Sequence, residues 1–568
     1  MQARSTSLSP SYRQETIESL DGGEFDLIVV GGGVTGVGCA LDAASRGLSV
    51  ALFEQRDLAS GTSSRSSKLI HGGLRYLEQF HFQLVNEALH ERGLLLDTLA
   101  PHLVWPIPFV YPLEHRVWER VYVGAGITLY DGMAKLGHST MPRQWHLSRK
   151  ELLRVFPGVK RKAFVGGVRY YDAGTDDARF VVALARTAAR EGARILTSTG
   201  VSGFIRDGDR ITGVTATCLE SGRAFETHAK VVINATGVWT DSVELLAGDT
   251  GTEVTASKGV HIVVPKDRIE SSVGFITKTE TSVLFLIPHD DFWIIGTTDT
   301  PWELDLAHPA ASKSDIAYVL EQVNHIVETP ITTDDIVGVY AGLRPLVTGN
   351  ALSTAKLSRE HSITETEPGL ITIAGGKFTT YRIMAQDTVN EATATGDIDA
   401  VPTRTDQIPF VGAQGYRALM AQKNDLASRY GLTVEQVVRL LHRYGDELAV
   451  VLAYGENDPT MMDVIPSGTY LRAEVLFAVE HEGALHLDDV LTRRTRISIE
   501  SRDRGVDSAP DVASIMAGVL GWDDVTVKRE LAHYEARVEA ERESQTMPDD
   551  LTADAARLGA PDVRTLGN

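Results

Sequence analysis

The sequence has few cysteines and no long apolar run, and both shortages exclude classes of protein. Among 568 residues there are two cysteines, Cys39 and Cys218, too few for a disulfide framework. No group of Cys and His residues has the spacing of metal ligands. We therefore expect a reduced, intracellular protein without a metal centre. No run reaches about eighteen consecutive apolar residues, so no segment is expected to span a membrane.

Positive charge is also scarce. The chain has 55 Lys and Arg against 76 Asp and Glu, a net charge of −21. Such a charge repels the phosphates of nucleic acid, so we expect no nucleic-acid partner. An anionic substrate would need a local cluster of cations. The remaining composition, 43% hydrophobic and 23% charged, is that of an ordinary globular protein.

The stretch from Phe25 to Glu54 has the pattern of a dinucleotide-binding site. The apolar run LIVV predicts a buried parallel strand. Gly31, Gly33 and Gly36 follow in G-x-G-x-x-G spacing. The first two let the backbone turn tightly and approach a pyrophosphate, and the third lets a helix pack closely on the strand. A second strand ends at Glu54, where an acid can hydrogen-bond a ribose hydroxyl. This pattern does not distinguish NAD from FAD.

Two later segments favour FAD. In AKVVINATGVW, residues 229–239, a predicted strand leads into an Ala-Thr-Gly turn. In GLITIAGGKFTTYRIMA, residues 369–385, a strand is followed by a Gly-Gly turn and a helix whose N-terminal amides can face a flavin. Either segment alone is typical of an ordinary βα turn. Together with the glycine turn that follows the first strand, however, the two segments indicate one FAD site. The candidate cofactor-binding residues of these two turns are Ala235, Thr236, Gly237, Gly375, Gly376 and Thr379.

Several segments together resemble FAD-dependent glycerol-3-phosphate dehydrogenase of the bacterial kind. They are SSKLIHGGLRYLE, KGVHIVVP, IIGTTDT, GLRPL, GGKFTTYR, AEVLFAVEHEGALHLDDVLTRRTR and VASIMAGVLGWD. The resemblance implies an α/β protein (α+β overall). Its doubly wound FAD-binding domain is interleaved with an antiparallel-sheet substrate domain, and a C-terminal helical cap domain follows. We expect an N-terminal arm at 1–24, the interleaved domain at 25–398, the helical domain at 399–542 and a disordered tail at 543–568.

Local patterns agree with parts of this arrangement. Alternation in KGVHIVVP is typical of a strand. Thr433 followed by Gln436 is a capping-box pattern, which predicts a helix start in the C-terminal region. The residues after about 543 are polar and lose periodicity, which is the reason to expect disorder there.

The resemblance also implies a cofactor-binding role for the hydroxyl-rich loop at residues 60–67. Its serines and threonines are typical of a linker, but in this place they also suit donation to the FAD pyrophosphate and ring. Gly72 and Gly73 would let the backbone pass the flavin closely. The candidate cofactor-binding residues of this region are Ser64, Ser66, Ser67, Lys68 and His71.

The resemblance implies oxidation of sn-glycerol 3-phosphate to dihydroxyacetone phosphate, with hydride transfer to non-covalent FAD and electrons passed to a membrane quinone. It places six residues at the substrate: Arg75, Tyr76, His261, Arg344, Arg359 and Lys377. A phosphate dianion needs several fixed donors, and the arginine fork supplies paired ones. His261 is the candidate base because histidine titrates near working pH, although an arginine or a bound water could serve instead.

Three other functions are compatible with the same type of fold. A glycerol-3-phosphate oxidase would use O2 and make H2O2, but oxidases of that type carry an insertion that this sequence lacks. An amine or amino-acid oxidase would bind a carboxylate and an amine, which does not call for so many cations. A protein that holds FAD only for structure would not need the substrate cluster.

A lipid-dissolved quinone requires contact with a membrane, and one region has suitable features. Residues 112–162 contain ten Lys and Arg against four Asp and Glu. Trp105, Trp118 and Trp145 and the apolar segment VYVGAGITLY lie in the same part of the chain. These features are typical of a surface-lying anchor, and equally of a buried helix with a solvated basic face. We expect a cytoplasmic protein attached peripherally to the inner face of the cytoplasmic membrane and, from the family, a homodimer.

Overall fold

The computed structural model describes residues 6–73, 82–115, 141–248, 251–279, 283–347 and 361–564. The strands in these ranges are β1 Glu24–Val30, β2 Val50–Phe53, β3 Leu69–Ile70, β4 Val104–Leu113, β5 Trp145–Ser148, β6 Gly166–Thr175, β7 Arg194–Leu196, β8 Thr199–Asp207, β9 Arg210–Cys218, β10 Ala224–Asn234, β11 Val254–Pro265, β12 Gly274–Lys278, β13 Val283–His289, β14 Phe292–Gly296, β15 Thr300–Trp302, β16 Gly338–Val347, β17 His361–Glu367 and β18 Leu370–Gly375.

The α-helices in the same ranges are α1 Pro10–Leu20, α2 Val34–Ser45, α3 Phe82–Leu94, α4 Arg149–Val155, α5 Asp177–Glu191, α6 Thr240–Leu245, α7 Lys313–Ile326, α8 Tyr381–Thr395, α9 Tyr416–Ala421, α10 Lys423–Tyr430, α11 Val434–Tyr444, α12 Leu448–Asn457, α13 Arg472–His481, α14 Ile497–Glu500, α15 Ala509–Leu520, α16 Asp524–Ser544 and α17 Asp550–Arg557.

The first sheet is the framework of the dinucleotide-binding domain. Its order is β17-β18-β10-β1-β2-β7, and β8 and β9 extend it from β10. Strand β1 pairs in parallel with both β2 and β10, and β10 pairs in parallel with β18. Because these four strands run in one direction, their carboxyl ends meet at one edge of the sheet. The expected doubly wound sheet is confirmed.

Small residues bring helix α2 close to this sheet and to helix α8. A Cβ atom added at Gly36 would lie 2.0 Å from the carbonyl oxygen of Gly31. A Cβ added at Gly38 would lie 3.0 Å from the Cδ2 atom of Tyr381 in α8. Gly36 therefore packs beneath the turn after β1, which is the close approach expected of the third glycine in the motif.

The second sheet is mainly antiparallel and has the order β15-β11-β14-β13-β12-β4-β6-β3, with β16 on β11 and β5 on β6. The segment KGVHIVVP forms the end of β11, as its alternation predicts. The register places His261 opposite Tyr340 of β16 and opposite Gly296 of β14. It also places Ser257 opposite Arg344. The expected antiparallel substrate sheet is confirmed.

Helices α9 to α17 form the C-terminal part of the chain. The predicted capping box is present, because the Thr433 hydroxyl accepts from the Gln436 amide and the Gln436 side chain accepts from the Thr433 amide. Buried ion pairs join these helices to the first domain. Asp57 lies 2.5 Å from the Nε atom of Arg493 and 2.7 Å from the Nη1 atom of Arg494.

The expectation of disorder after residue 543 is wrong for the residues described there. Helix α16 ends at Ser544, and α17 begins after an N-cap at Asp549. Ala553 is fully buried, and Arg564 makes an ion pair of 3.0 Å with Asp489. The segment has few apolar residues because ion pairs and one short helix attach it to the rest of the molecule. That kind of attachment leaves no hydrophobic periodicity in the sequence.

Among the described residues, no helix has both the length and the apolar character needed to cross a bilayer.

Candidate active site

A cavity of about 450 Å³ lies where the carboxyl ends of the parallel strands meet the second sheet. Strands β1, β2, β10 and β18 all end at it, which is the position where open α/β sheets bind dinucleotides. The predicted site residues that line it are Gly31, Gly33, Glu54, Ser66, Ser67, His71, Ala235, Thr236, Gly237, His261, Arg344, Gly375, Gly376, Lys377 and Thr379.

Three predicted cofactor-binding residues lie away from this cavity. Gly36 lies under the glycine turn, and Ser64 faces a separate, smaller cavity. Lys68 is 1% exposed, and its Nζ atom is 2.7 Å from the carboxylate of Asp177. Lys68 therefore does not line the cavity, and its buried ammonium is held by its carboxylate partner. Its position beside the flavin stays a prediction. Arg75, Tyr76 and Arg359 lie outside the described residues.

The backbone of the cavity fits a dinucleotide, because the turns at the strand ends leave no room for side chains. Gly31 has a φ of +114°, and a Cβ there would lie 2.7 Å from the carbonyl oxygen of Ala235. A Cβ at Gly32 would lie 2.8 Å from the Cβ atom of Glu54. Helix α2 begins directly after this turn, and a helix N-terminus favours a bound phosphate. The residues present therefore fit the pyrophosphate of FAD.

Glu54 fixes the shape of the glycine turn. Its Oε2 atom accepts from the Gly32 amide at 2.7 Å, and its Oε1 atom accepts from the Arg56 amide at 2.7 Å. Burial raises the pKa of this carboxyl group. A carboxylate has about four acceptor positions, so these bonds leave room for the ribose hydroxyl that the sequence motif predicts.

His261 is a buried residue of β11 at the other side of the cavity. Its Nε2 atom is 2.9 Å from the hydroxyl of Ser67, and its ring stacks on Tyr340 with 4.8 Å between centroids. Burial lowers the pKa of His261 to about 3, and the charges of Arg344 and Lys68 act in the same direction. The imidazole is therefore neutral near pH 7. Its Nδ1 atom is buried without a hydrogen-bond partner among the described residues.

Arg344 lines the cavity from β16. Its Nη2 atom donates to the hydroxyl of Thr297 at 3.0 Å and to the carbonyl oxygen of Thr298 at 3.2 Å. Its Nη1 atom is 3.4 Å from Asp299, and 24% of the side chain is exposed. These contacts orient the guanidinium. Lys377 lines the same cavity and directly precedes the helical turn that leads into α8.

Asp177, at the start of α5, holds the loop that carries Ser67. Its Oδ2 atom accepts from the amide and hydroxyl of Ser66 at 3.0 and 2.7 Å. Its Oδ1 atom accepts from Lys68 and from Arg496 of the C-terminal helices. Burial alone would raise the pKa of Asp177, but the charges of Lys68 and Arg496 hold it below its usual range.

Three residues that support this loop were not predicted as site residues from the sequence: Asp177, Tyr340 and Arg496. Tyr340 supports the same loop, because its hydroxyl donates to the carbonyl oxygen of Ser66 at 3.0 Å. Asp177 and Tyr340 belong to no quoted motif, and Arg496 ends the segment AEVLFAVEHEGALHLDDVLTRRTR, whose resemblance assigns it no role. The pairing of β3 with β6, the register of β11 and β16 and the packing of the C-terminal helices bring the three to the loop.

Comparison with known proteins gives the same assignment over both parts of the chain. Residues 26–388 match the family described as FAD dependent oxidoreductase. Residues 403–527 match the C-terminal domain of alpha-glycerophosphate oxidase.

Curated relatives are similar over most of the chain. Glycerol-3-phosphate dehydrogenase 2 of Mycobacterium tuberculosis is 52% identical over 559 residues, which cover 98% of this chain and 95% of that protein. The mitochondrial glycerol-3-phosphate dehydrogenase of Homo sapiens is 36% identical over 546 residues, which cover 92% of this chain and 74% of that protein.

Solved structures share the fold. A glycerol-3-phosphate dehydrogenase from Bacillus halodurans, complexed with FAD, matches with a TM-score of 0.77 and 28% identity, covering 94% of this chain and 98% of that one. An L-alpha-glycerophosphate oxidase from Mycoplasma pneumoniae with FAD bound matches with a TM-score of 0.52 and 18% identity, covering 68% of this chain and 98% of that one. The latter shows a shared fold alone. FAD is thus the cofactor, and the chain belongs to the family of FAD-dependent glycerol-3-phosphate dehydrogenases.

Proposed function

We propose that the protein oxidises sn-glycerol 3-phosphate to dihydroxyacetone phosphate and passes the electrons to a membrane quinone. The observation that carries this proposal is that Arg344, Lys377 and His261 line the same cavity as the glycine turn. In a chain with a net charge of −21, the cations that line this cavity create the local field that a phosphorylated substrate needs. The names of the similar proteins support the same substrate.

Arg344 and Lys377 bind the anionic substrate in this proposal. The guanidinium of Arg344 is already oriented by Thr297 and Thr298, so little freedom is lost when it binds an oxyanion. Lys377 lies at the start of a helical segment, where a cation is disfavoured by the helix dipole unless an anion is nearby. A substrate phosphate or a developing alkoxide provides that anion.

His261 accepts the proton of the C2 hydroxyl in this proposal. Bound FAD supplies the hydride acceptor. If the Nε2 atom of His261 donates to Ser67, the unpartnered Nδ1 atom is the one that can accept a proton. The pKa of about 3 is too low for an effective base. The negative charge of a bound substrate offsets the nearby cations and raises this pKa, so proton transfer is coupled to substrate binding.

Flavin reduction tests the reaction directly. Purified holoenzyme is mixed anaerobically with sn-glycerol 3-phosphate, and the flavin absorbance is followed. We expect rapid bleaching with this substrate and very little with unphosphorylated glycerol. Bleaching by an amino acid but not by glycerol 3-phosphate would contradict the proposal. Repeating the reaction in air with peroxide detection separates the dehydrogenase from an oxidase, because an oxidase makes one H2O2 per turnover.

We also propose that the protein binds the membrane surface to reach its quinone. Trp145 is 61% exposed in β5, and Arg143, Arg149 and Lys150 beside it are exposed as well. Trp105 does not share this exposure, because it packs edge-on against the rings of two histidines. Residues 116–140, including Trp118 and the segment VYVGAGITLY, lie outside the described residues.

Flotation with anionic lipid vesicles tests the membrane proposal. We expect wild type to float and Trp145→Ser to float less. Val525→Ser is the matched control, because Val525 is 73% exposed on α16 and lies outside the basic region. Wild type that stays at the bottom of the gradient would refute membrane attachment. The homodimer proposed from the family predicts a mass in light scattering of twice the 61.8 kDa of the chain.

A further inference from the structure

A second cavity, of about 80 Å³, lies between the FAD-binding domain and the C-terminal helices. We call it the arginine pocket, after Arg65, Arg504, Arg537 and Arg557, which line it. Arg65 belongs to the hydroxyl-rich loop and borders both this pocket and the active-site cavity. Arg504 precedes α15, and the other two lie on α16 and α17. The proposed oxidation uses none of these four residues.

The positive charge of this pocket is not balanced. Arg537 makes a close ion pair with Asp488, and Arg504 is 3.8 Å from Glu541. Arg557 is 5% exposed, yet its Nη1 atom has no hydrogen-bond partner within the described ranges. No carboxylate of those ranges lies within ion-pair distance of Arg557. Arg496 is a fifth lining arginine, but it is paired with Asp176 and Asp177. The other four guanidinium groups share two lining carboxylates, Asp488 and Glu541.

Arg65 adds a cation with an equally incomplete environment. Its Nη1 atom donates to the carbonyl oxygen of Ala307 at 3.1 Å, which is a neutral acceptor. Burial lowers the pKa of Arg65 to about 9, and the charges of Arg537 and Arg557 contribute to this decrease. Burial likewise lowers the pKa of Arg557 to about 10, with Arg537 again acting in the same direction. Cations that lower one another's pKa are stabilised by an anion placed between them.

The size of the cavity restricts the anion. One water molecule needs roughly 10–15 Å³ of such space, so about 80 Å³ holds roughly six atoms of similar size. A tetrahedral oxyanion fits this space. Guanidinium forks match phosphate oxygens in pairs, and His308, which also lines the pocket, has a buried Nδ1 atom without a partner in the described part of the chain.

We propose that the arginine pocket binds a small phosphate-type oxyanion, either inorganic phosphate or the phosphate group of a small monoester, at a site separate from the substrate cavity. The anion bridges Arg557 of α17 to Arg65. Because Ser66 and Ser67 follow Arg65 directly, the bound anion also fixes one end of the loop that carries the partner of His261.

Calorimetric titration of holoenzyme with inorganic phosphate tests the site. The substrate cavity also attracts phosphate, so the titration uses the Arg344→Ala background, in which that cavity lacks its arginine. The comparison adds Arg557→Gln to this background. The matched control adds Arg529→Gln, because the side chain of Arg529 on α16 is 60% exposed and lies outside both cavities.

We expect one saturable phosphate site per chain in the Arg344→Ala background and in the control. Arg557→Gln should weaken it by roughly 10- to 100-fold, the effect of losing a charged hydrogen bond. Titration with glycerol 3-phosphate then shows whether free phosphate or a monoester is the preferred form. Equal affinity after Arg557→Gln, or no saturable binding in the background, would overturn the proposal.

A measurement on wild type covers the case in which Arg557→Gln does not fold. Crystals of the holoenzyme are soaked in tungstate, a tetrahedral dianion with a strong anomalous signal. We expect an anomalous peak within hydrogen-bond distance of the guanidinium groups of Arg557 and Arg65. A peak confined to the substrate cavity near Arg344 would refute the second site.

Discussion

Replacing Arg344 with alanine should lower kcat/KM for sn-glycerol 3-phosphate and leave the flavin in place. Truncating one member of a buried charged pair typically costs ~2–5 kcal/mol. The lower part of that range applies here, because the Arg344 side chain is 24% exposed and the Asp299 it leaves keeps a hydrogen bond from Ser257. A loss of ~2–3 kcal/mol corresponds to a decrease of roughly 30- to 150-fold.

The assay is steady-state turnover with a soluble dye as electron acceptor, alongside the absorbance spectrum of the bound flavin. Arg268→Ala is the matched control. Arg268 follows β11, is 35% exposed and is paired with one carboxylate, Asp335, at 2.8 Å, but it does not line the cavity. We expect this variant to keep normal turnover. Glycerol is the second substrate, because it lacks the phosphate.

The two substrates separate the possible roles of Arg344. If the guanidinium binds the phosphate, the alanine variant has a lower kcat/KM with glycerol 3-phosphate, and the ratio of this kcat/KM to that for glycerol becomes smaller. If it stabilises the developing alkoxide, both substrates lose efficiency by a similar factor. A variant with near-normal efficiency and little flavin would refute the reasoning, since Arg344 would then belong to the cofactor site.

Three further predictions concern the cofactor, the loop and pH. Gly36→Ala should yield protein with little flavin, since the added Cβ would lie 2.0 Å from a carbonyl oxygen. The control variant Gly518→Ala should keep its flavin, because the added Cβ meets nothing within 4 Å. The flavin absorbance of the two purified variants tests this prediction. Asp177→Asn should lower the melting temperature and the turnover together, because it leaves the buried ammonium of Lys68 without a carboxylate, a loss of ~3–5 kcal/mol, while Arg496 keeps Asp176. An unchanged melting temperature would contradict this. His486 lies between Glu220 and Glu530. Burial opposes the charged form of its imidazole, but the two glutamates outweigh burial and raise the pKa of His486 to about 9. Its contribution of about 3 kcal/mol to the free energy of unfolding is therefore complete below pH ~6.5 and is lost as the pH rises through about 9. His486→Gln should flatten the melting temperature between these values, and an unchanged profile would refute the assignment.

The cofactor cavity could be predicted from the sequence because its elements are local. A glycine turn after an apolar strand and a glutamate at the end of the next strand lie within about thirty residues of one another in the sequence. The Gly375-Gly376 turn has the same local character. Their meeting at one edge follows from parallel pairing of β1, β2, β10 and β18, which the structure shows.

The substrate side of the site depended on long-range register and was predicted only through the family resemblance. His261 meets Tyr340 because β11 and β16 pair in one particular register, and a shift of one strand by one residue would place the two side chains on opposite faces of the sheet. The burial of Lys68 away from the cavity depends on a long-range contact of the same kind. Its partner Asp177 lies 109 residues away, and no local pattern connects the two.

The buried ion pairs between the two parts of the chain have a consequence for the order of synthesis. Asp57 meets Arg493 and Arg494 across 436 and 437 residues, and Asp177 meets Arg496 across 319. A nascent chain of the first 400 residues has its cofactor-binding segment complete in sequence, but Asp57 still lacks both arginines and Asp177 has Lys68 without Arg496. We therefore expect stable flavin loading only after the last third of the polypeptide has been made, and we expect a product truncated near residue 400 to be unstable.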